Sequence, residues 1–139
     1  MEKSKRLEKL LKSFSKIKIL VIGDIMLDRS SLKRAGDILF DRLKCEFLVI
    51  TRGEEGMTIL KSNREPFDVS TIAKDVYDVT GAGDTVIGTM ALAWGAGATI
   101  REAAELANYA AGIVVGKMGT ATVSQEELMN VIKEKPRTK

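Results

Sequence analysis

Apolar residues along this chain follow two periods that alternate with each other. Residues 17–23 (IKILVIG) and 47–50 (FLVI) are near-continuous and rich in β-branched side chains, which predicts strands buried on both faces. Met57 to Leu60 return from a polar turn at Thr51, Arg52, Gly53, Glu54, Glu55 and Gly56, so this stretch reads as a β-hairpin with a glycine-rich tip. Leu7, Leu10, Leu11 and Phe14 recur at helical spacing and predict an amphipathic first helix. Residues 37–44 (DILFDRLK) also read as helical, with Ile38, Leu39 and Leu43 inward. Between these periodic segments, residues 29–36 (RSSLKRAG) break the pattern, and Ser30, Ser31 and Gly36 predict a linker or turn. Residues 62–68, with Pro66, predict a loop, and residues 69–73 an edge strand.

From Thr85 onward, Val86, Ile87, Met90, Ala91 and Trp94 predict a helix that is apolar nearly all round and therefore buried, ended by Gly95 and Gly97. Thr99 with Glu102, and Ser124 with Glu127, have the spacing of capping boxes that open two further helices. Gly112, Gly116 and Gly119 between those boxes predict close packing followed by a turn. Strands and helices interleaved in this way indicate an α/β fold.

Composition narrows the choice of chemistry. A chain of 139 residues suits one domain, and 45% hydrophobic with 29% charged residues is globular rather than disordered. The net charge of +3 is concentrated at the two ends, and only 5% of residues are aromatic, so no basic, aromatic-interleaved face for nucleic acid is expected. Histidine is absent, which excludes Ser-His-Asp and Cys-His catalysis as well as His-ligated metals. Cys45 is the single cysteine, expected as a small core residue beside a strand. The N-terminus lacks an apolar signal core, and the uncharged run at residues 85–100 is too short to span a bilayer, so a soluble cytoplasmic protein is expected.

Candidate chemistry gathers at residues 75–85 (DVYDVTGAGDT). Two glycines around an alanine, directly before an aspartate and a long helix, let backbone N–H groups converge at a helix N-terminus, where an anion is favoured. Asp84 is the carboxylate placed beside that hole to accept a proton. Asp24 and Asp28 follow the carboxyl end of the first strand, where ligands of open α/β sheets gather. They are candidates for substrate contact, with turn capping as the alternative. Two other motifs fail. Residues 112–118 (GIVVGKM) are one residue short of a P-loop and end in Met118 where Ser or Thr is needed. Val86 stands where a dinucleotide fingerprint requires its third glycine.

Taken with the hairpin at Thr51 to Gly56 and the helix around Asn108, this turn resembles the ribokinase-like carbohydrate kinases (the PfkB family). Within them it is most similar to the heptose 7-phosphate kinases of the lipopolysaccharide-core pathway. Residues 76–88 (VYDVTGAGDTVIG), 110–124 (AAGIVVGKMGTATVS) and 21–29 (VIGDIMLDR) carry that likeness. The resemblance implies an ATP-dependent kinase acting on a sugar phosphate, with Mg2+ and a monovalent cation such as K+ as cofactors. It implies Asp84 as catalytic base and Gly81, Ala82 and Gly83 as the anion hole. It further implies that Thr51, Arg52, Gly53, Glu54, Glu55 and Gly56 lie along ATP, that Asn108 stands near the adenine, that Asp78 and Thr80 bind the monovalent cation, and that Asp28 holds sugar hydroxyls.

In those kinases the Asp28 segment and the segment near Gly36 are far apart in sequence, whereas here a few residues separate them. The expected fold is therefore a reduced ribokinase-like core, a few-stranded sheet with packed helices, lacking the lid and central strands. Its segments are residues 1–29 (first helix and strand), 30–36 (a junction at the apparent deletion) and 37–139 (the nucleotide-binding part). The Asn-x-x-Glu motif that helps place magnesium in the family is absent from the sequence. A non-catalytic nucleotide-binding remnant and an interaction module therefore stand beside the kinase reading. Sheet edges and helix faces uncovered by the missing strands predict self-association or poor solubility.

Overall fold

The structure, a computed structural model, describes residues 19–23, 28–73 and 75–134. The expected helix at Leu7 to Phe14, and Asp24, lie outside these residues. The described chain forms a four-stranded sheet in the order β1 (Ile19–Ile22), β2 (Phe47–Thr51), β3 (Met57–Lys61), β4 (Phe67–Val69). Strand β1 runs parallel to β2, with Val21 opposite Val49, and the expected hairpin pairs β2 antiparallel to β3, with Val49 opposite Ile59. The edge strand is β4, with Phe67 opposite Ile59, and not residues 69–73. Beyond Val69 the backbone leaves the sheet, and the Ser70 carbonyl accepts a hydrogen bond from Asn108 Nδ2 at 2.7 Å instead.

Residues 29–36 are not a linker. They open a helix, α1, spanning Arg29–Leu43, whose N-cap is Asp28. Ser30 and Ser31 donate their backbone N–H groups to Asp28 Oδ1 at 2.9 and 3.1 Å, so the serines that suggest a turn are the first residues of a capped helix. Gly36 is a contact residue: a Cβ there would stand 2.6 Å from Leu60 Cδ2, so its absence lets the helix approach the sheet. That approach orients α1. Leu32, Gly36 and Phe40 are buried and Leu39 is half-buried, while Ile38 and Leu43, expected inward, are 56% and 52% exposed. Arg29 fixes the N-terminal end of α1 by donating to Pro66 O at 2.7 Å and pairing with Asp68 at 3.4 Å.

Three more helices follow among the described residues: α2 (Ala82–Gly95), α3 (Ile100–Val115) and α4 (Gln125–Glu134). Both capping boxes form, Thr99 with Glu102 and Ser124 with Glu127. Strand alternation assigns the two faces of the sheet. Leu48, Ile50 and Leu60 pack on Leu32 and Phe40 of α1, with half-buried Cys45 at the margin as expected. Phe47, Val49, Met57 and Ile59 face the opposite way, onto α2 and α3. Helix α2 is buried on one side only, through Val86, Met90 and Ala93. Ile87 (49% exposed) and Leu92 (78% exposed) face away, correcting the expectation of an all-round buried helix. Its high apolar content contains no signal for which side a neighbour covers. Helix α3 brings Ala103, Ala104 and Ala107 against the sheet layer, small residues that allow close helix packing.

Candidate active site

The turn before α2 is shaped by Gly81, whose φ of 82° lies in the left-handed region that side chains disfavour. It is the N-cap of α2 and has no side-chain cap. Ala82 N–H donates to Val79 O at 3.1 Å and Thr85 N–H to Gly81 O at 2.9 Å. The N–H groups of Gly83 and Asp84 between them have no acceptor among the described residues. Unpaired donors and the positive end of the helix dipole thus coincide, the arrangement that attracts an anion. Asp84 projects from the first turn of α2 and is exposed.

Beside this turn lies a cleft of about 520 Å³, a volume typical of small-molecule sites. One wall is the hairpin tip, with Thr51, Gly53, Glu54 and Gly56. A second is the start of α2, with Ala82 and Gly83, and a third is the α3 face carrying Asn108. Seven of the expected site residues therefore meet at one cleft, at the carboxyl end of β2. Arg52, Glu55, Gly81 and Asp84 are their chain neighbours but do not line it. Arg52 is ion-paired with Glu55, and its buried Nε has no acceptor among the described residues. Among the described residues the one charged group in the lining is Glu54, and the free backbone N–H groups of Gly83 and Asp84 lie at its margin.

Gly56 fixes where the hairpin tip sits. Its φ is 90°, and a Cβ would stand 2.1 Å from Val69 O and 2.7 Å from Thr71 N, so the tip rests on the backbone leaving β4. Asn108 is 7% exposed and holds the next residue of that segment, Ser70. The sequence reading missed the other lining residues, Thr71, Ala73, Val76, Val79, Ala111 and Val115 as well as Met57, Val86 and Gly112. Val76 and Val79 carry the one signal available beforehand, since they are apolar residues in a loop with no strand or helix period.

Asp78 and Thr80 lie just ahead of the turn. Asp78 Oδ1 accepts from Thr80 N–H at 2.9 Å, and Oδ2 accepts from Gly119 N–H at 3.2 Å. Hydrogen bonds from the Thr80 hydroxyl and backbone, then from Gly119, hold its carboxyl below the usual carboxylate range. The described residues contain no group of three or more Cys, Asp or Glu able to hold a metal ion. Asp28 stands apart from the cleft lining. Its oxygens accept from the Ser30 and Ser31 hydroxyls, both at 2.5 Å, and these bonds push its pKa well down. The geometry therefore gives Asp28 the capping role that the sequence left open.

The described chain is thus an α/β sheet with a helix start that presents free N–H groups beside a cleft of about 520 Å³. Residues 11–127 match the pfkB family carbohydrate kinases, and the chain belongs to that family. It is 47% identical over 118 residues to the bifunctional protein HldE of Haemophilus influenzae, covering 85% of this chain and 25% of that protein. With the HldE of Nitrosococcus oceani the identity is 50% over 105 residues, covering 76% and 22%. The chain thus spans about a quarter of these curated relatives. Among solved structures it is similar to the ribokinase of Arabidopsis thaliana complexed with ribose and ATP, with a TM-score of 0.76 at 22% identity, over 86% of this chain and 42% of that one. Escherichia coli phosphofructokinase-2 gives 0.70 at 17% identity, over 84% and 40%. The fold is the reduced ribokinase-like core that the sequence implied.

Proposed function

We propose that the cleft and turn carry out ATP-dependent phosphoryl transfer to a sugar hydroxyl. The supporting observation is the coincidence, at one helix start, of unpaired Gly83 and Asp84 N–H groups, the Asp84 carboxylate and a cleft with Gly83 in its wall. In this reading Thr51, Gly53, Glu54, Gly56 and Asn108 border the nucleotide, with Arg52 and Glu55 shaping the tip. Asp84 accepts the proton of the attacking hydroxyl, and the unpaired N–H groups of Gly83 and Asp84, exposed by the Gly81, Ala82 and Gly83 turn, offset charge on the transferring group while ADP leaves. Magnesium would supply charge neutralisation and would be held mainly by the nucleotide's phosphates and water, since the described residues offer no cluster of carboxylates for it. A monovalent cation such as K+ belongs beside Asp78 and Thr80. The acceptor is a heptose phosphate, on the resemblance carried by residues 21–29, 76–88 and 110–124.

The test is ADP release that depends on a phosphosugar. Asp84→Asn is expected to lower kcat by about 10²–10⁴-fold, the usual contribution of a general base, with ATP affinity little changed. Turnover that survives this substitution removes Asp84 from the reaction. A second reading, nucleotide binding without turnover, is favoured by Asp28, because the residue meant to hold the sugar has its oxygens engaged in capping α1. Calorimetric ATP affinity without phosphosugar-dependent ADP release selects that reading. An absence of ATP affinity leaves only an interaction module.

A further inference from the structure

Residues 116–124, which join α3 to α4, are organised by one lysine and one glutamate that the proposed chemistry does not use. Lys117 Nζ donates to Thr122 O at 2.8 Å and pairs with Glu127 Oε1 at 2.6 Å. Glu127 Oε2 accepts from Ser124 N–H at 2.9 Å, while Glu127 N–H donates back to Ser124 Oγ at 3.2 Å. The connection is thereby folded onto the first turn of α4. At its middle Gly119, with φ of 70°, donates its N–H to Asp78 Oδ2 at 3.2 Å, and Asp78 Oδ1 holds Thr80 N–H. Thr120 Cγ2 stands 3.7 Å from the place a Cβ on Gly81 would occupy. One hydrogen bond therefore runs from this connection to Asp78, just before the turn, and Thr120 stands beside Gly81 within it. A separate anchor, Val115 O, accepts from Tyr77 and Asp78 N–H at 2.8 and 3.3 Å and holds the other end of the same segment.

We infer that Lys117 and Glu127 are positioning residues for the turn at Gly81, Ala82, Gly83 and Asp84, acting through Gly119 and Asp78 from outside the cleft. The inference rests on the reading of that turn as the phosphoryl-transfer site for its catalytic consequence, though not for its structural one. Because Val115 O is independent of the pair, breaking the pair frees the Thr80 end of the segment while the Tyr77 end stays attached. Lys117 and Glu127 side chains are 35% and 41% exposed, so the effect is modest rather than global.

Amide hydrogen exchange on the ligand-free protein tests the structural link. In Glu127→Gln and Lys117→Met, exchange at Thr80 and Gly119 is expected to quicken by about three- to tenfold, the loss of one weak tie, with β2 and β3 amides unchanged. Lys117→Arg is expected to restore slow exchange. Faster exchange confined to α4, with Thr80 and Gly119 as in the wild type, overturns the inference. Kinetics read the consequence: kcat falls by a similar factor while the KM for ATP stays near its wild-type value. Quickened exchange with no phosphoryl transfer in the wild type leaves the positioning role standing and removes the kinase reading. A kinase whose kcat is unaffected by both variants removes the catalytic importance of the pair.

Discussion

Gly56 shows how much a single missing Cβ can determine. Considered along the sequence, Gly53 and Gly56 look alike, two glycines serving one hairpin tip. In the fold, Gly53 has nothing within 4 Å of a built Cβ, whereas Gly56 has the Val69 carbonyl at 2.1 Å. Gly56→Ala must move backbone, not a flexible side chain, and urea unfolding is expected to show a loss of at least about 2 kcal/mol. Gly53→Ala pays only for its left-handed φ of 56°, a smaller cost. Equal unfolding midpoints for the two variants would contradict this packing of the tip on β4. The distinction was not legible in the sequence because Val69 and Thr71 come from a separate segment. Local turn chemistry names the residue type and leaves its neighbour unknown. Asp28 teaches the converse: of its two readings, capping is the one that short spacing displays, through two serines two and three residues away.

At the scale of elements, the sequence resolved whatever depends on short spacing. The β2–β3 hairpin, both capping boxes and the C-terminal end of α2 follow from neighbouring residues and appear as expected, while α2 starts at Ala82, three residues before Thr85. It failed for α1, where Ser30, Ser31 and Gly36 have poor helix propensity and packing against Leu48, Ile50 and Leu60 outweighs it. That balance makes two measurable claims. Gly36→Ala improves helix propensity yet crowds Leu60 Cδ2 at 2.6 Å, and chemical denaturation is expected to show a net loss of about 1–3 kcal/mol. A gain in stability would mean that α1 stands further from the sheet. Thr99→Ala removes the cap of α3, whose hydroxyl accepts from Glu102 N–H at 3.3 Å, and is expected to cost about 1 kcal/mol in the same measurement. Helix α2 is the subtler miss: apolar periodicity cannot say that Ile87 and Leu92 lack a neighbour among the described residues.

Across the whole molecule, carboxylates act together on the response to acid. Lys117 first, then Ser124, bring Glu127 from its ordinary 4.5 to about 2, and Asp28, Glu65, Asp78 and Glu102 are also lowered. Folded values below unfolded ones mean stabilisation that is present above the unfolded pKa and lost as pH falls through the folded one. For Glu127 that window runs from 4.5 down to about 2. The melting temperature is therefore expected to hold steady near neutrality and to drop below about pH 5. Added salt should blunt the Glu65 and Glu127 contributions, which come from exposed pairs with Lys33 and Lys117, more than the others, which come from hydrogen bonds to neutral groups. A melting temperature independent of pH down to 3 would exclude these bonds as native features. The exposed side of α2 makes self-association the expected solution behaviour. A monodisperse monomer in light scattering at high concentration would refute it. No helix among the described residues is long and apolar enough to cross a membrane. One further consequence comes from Met57 and Val86, which belong both to the cleft wall and to the core between sheet and helices. Occupying the cleft leans on the same side chains that resist unfolding, so a bound ligand is reported by the melting of the entire fold. At about a hundredfold excess over its Kd a nucleotide adds about 2.7 kcal/mol, enough to raise the melting temperature by several degrees. Thermal melts across a panel of nucleotides and phosphosugars can thus rank ligands before any acceptor is known, whether or not the chain turns them over.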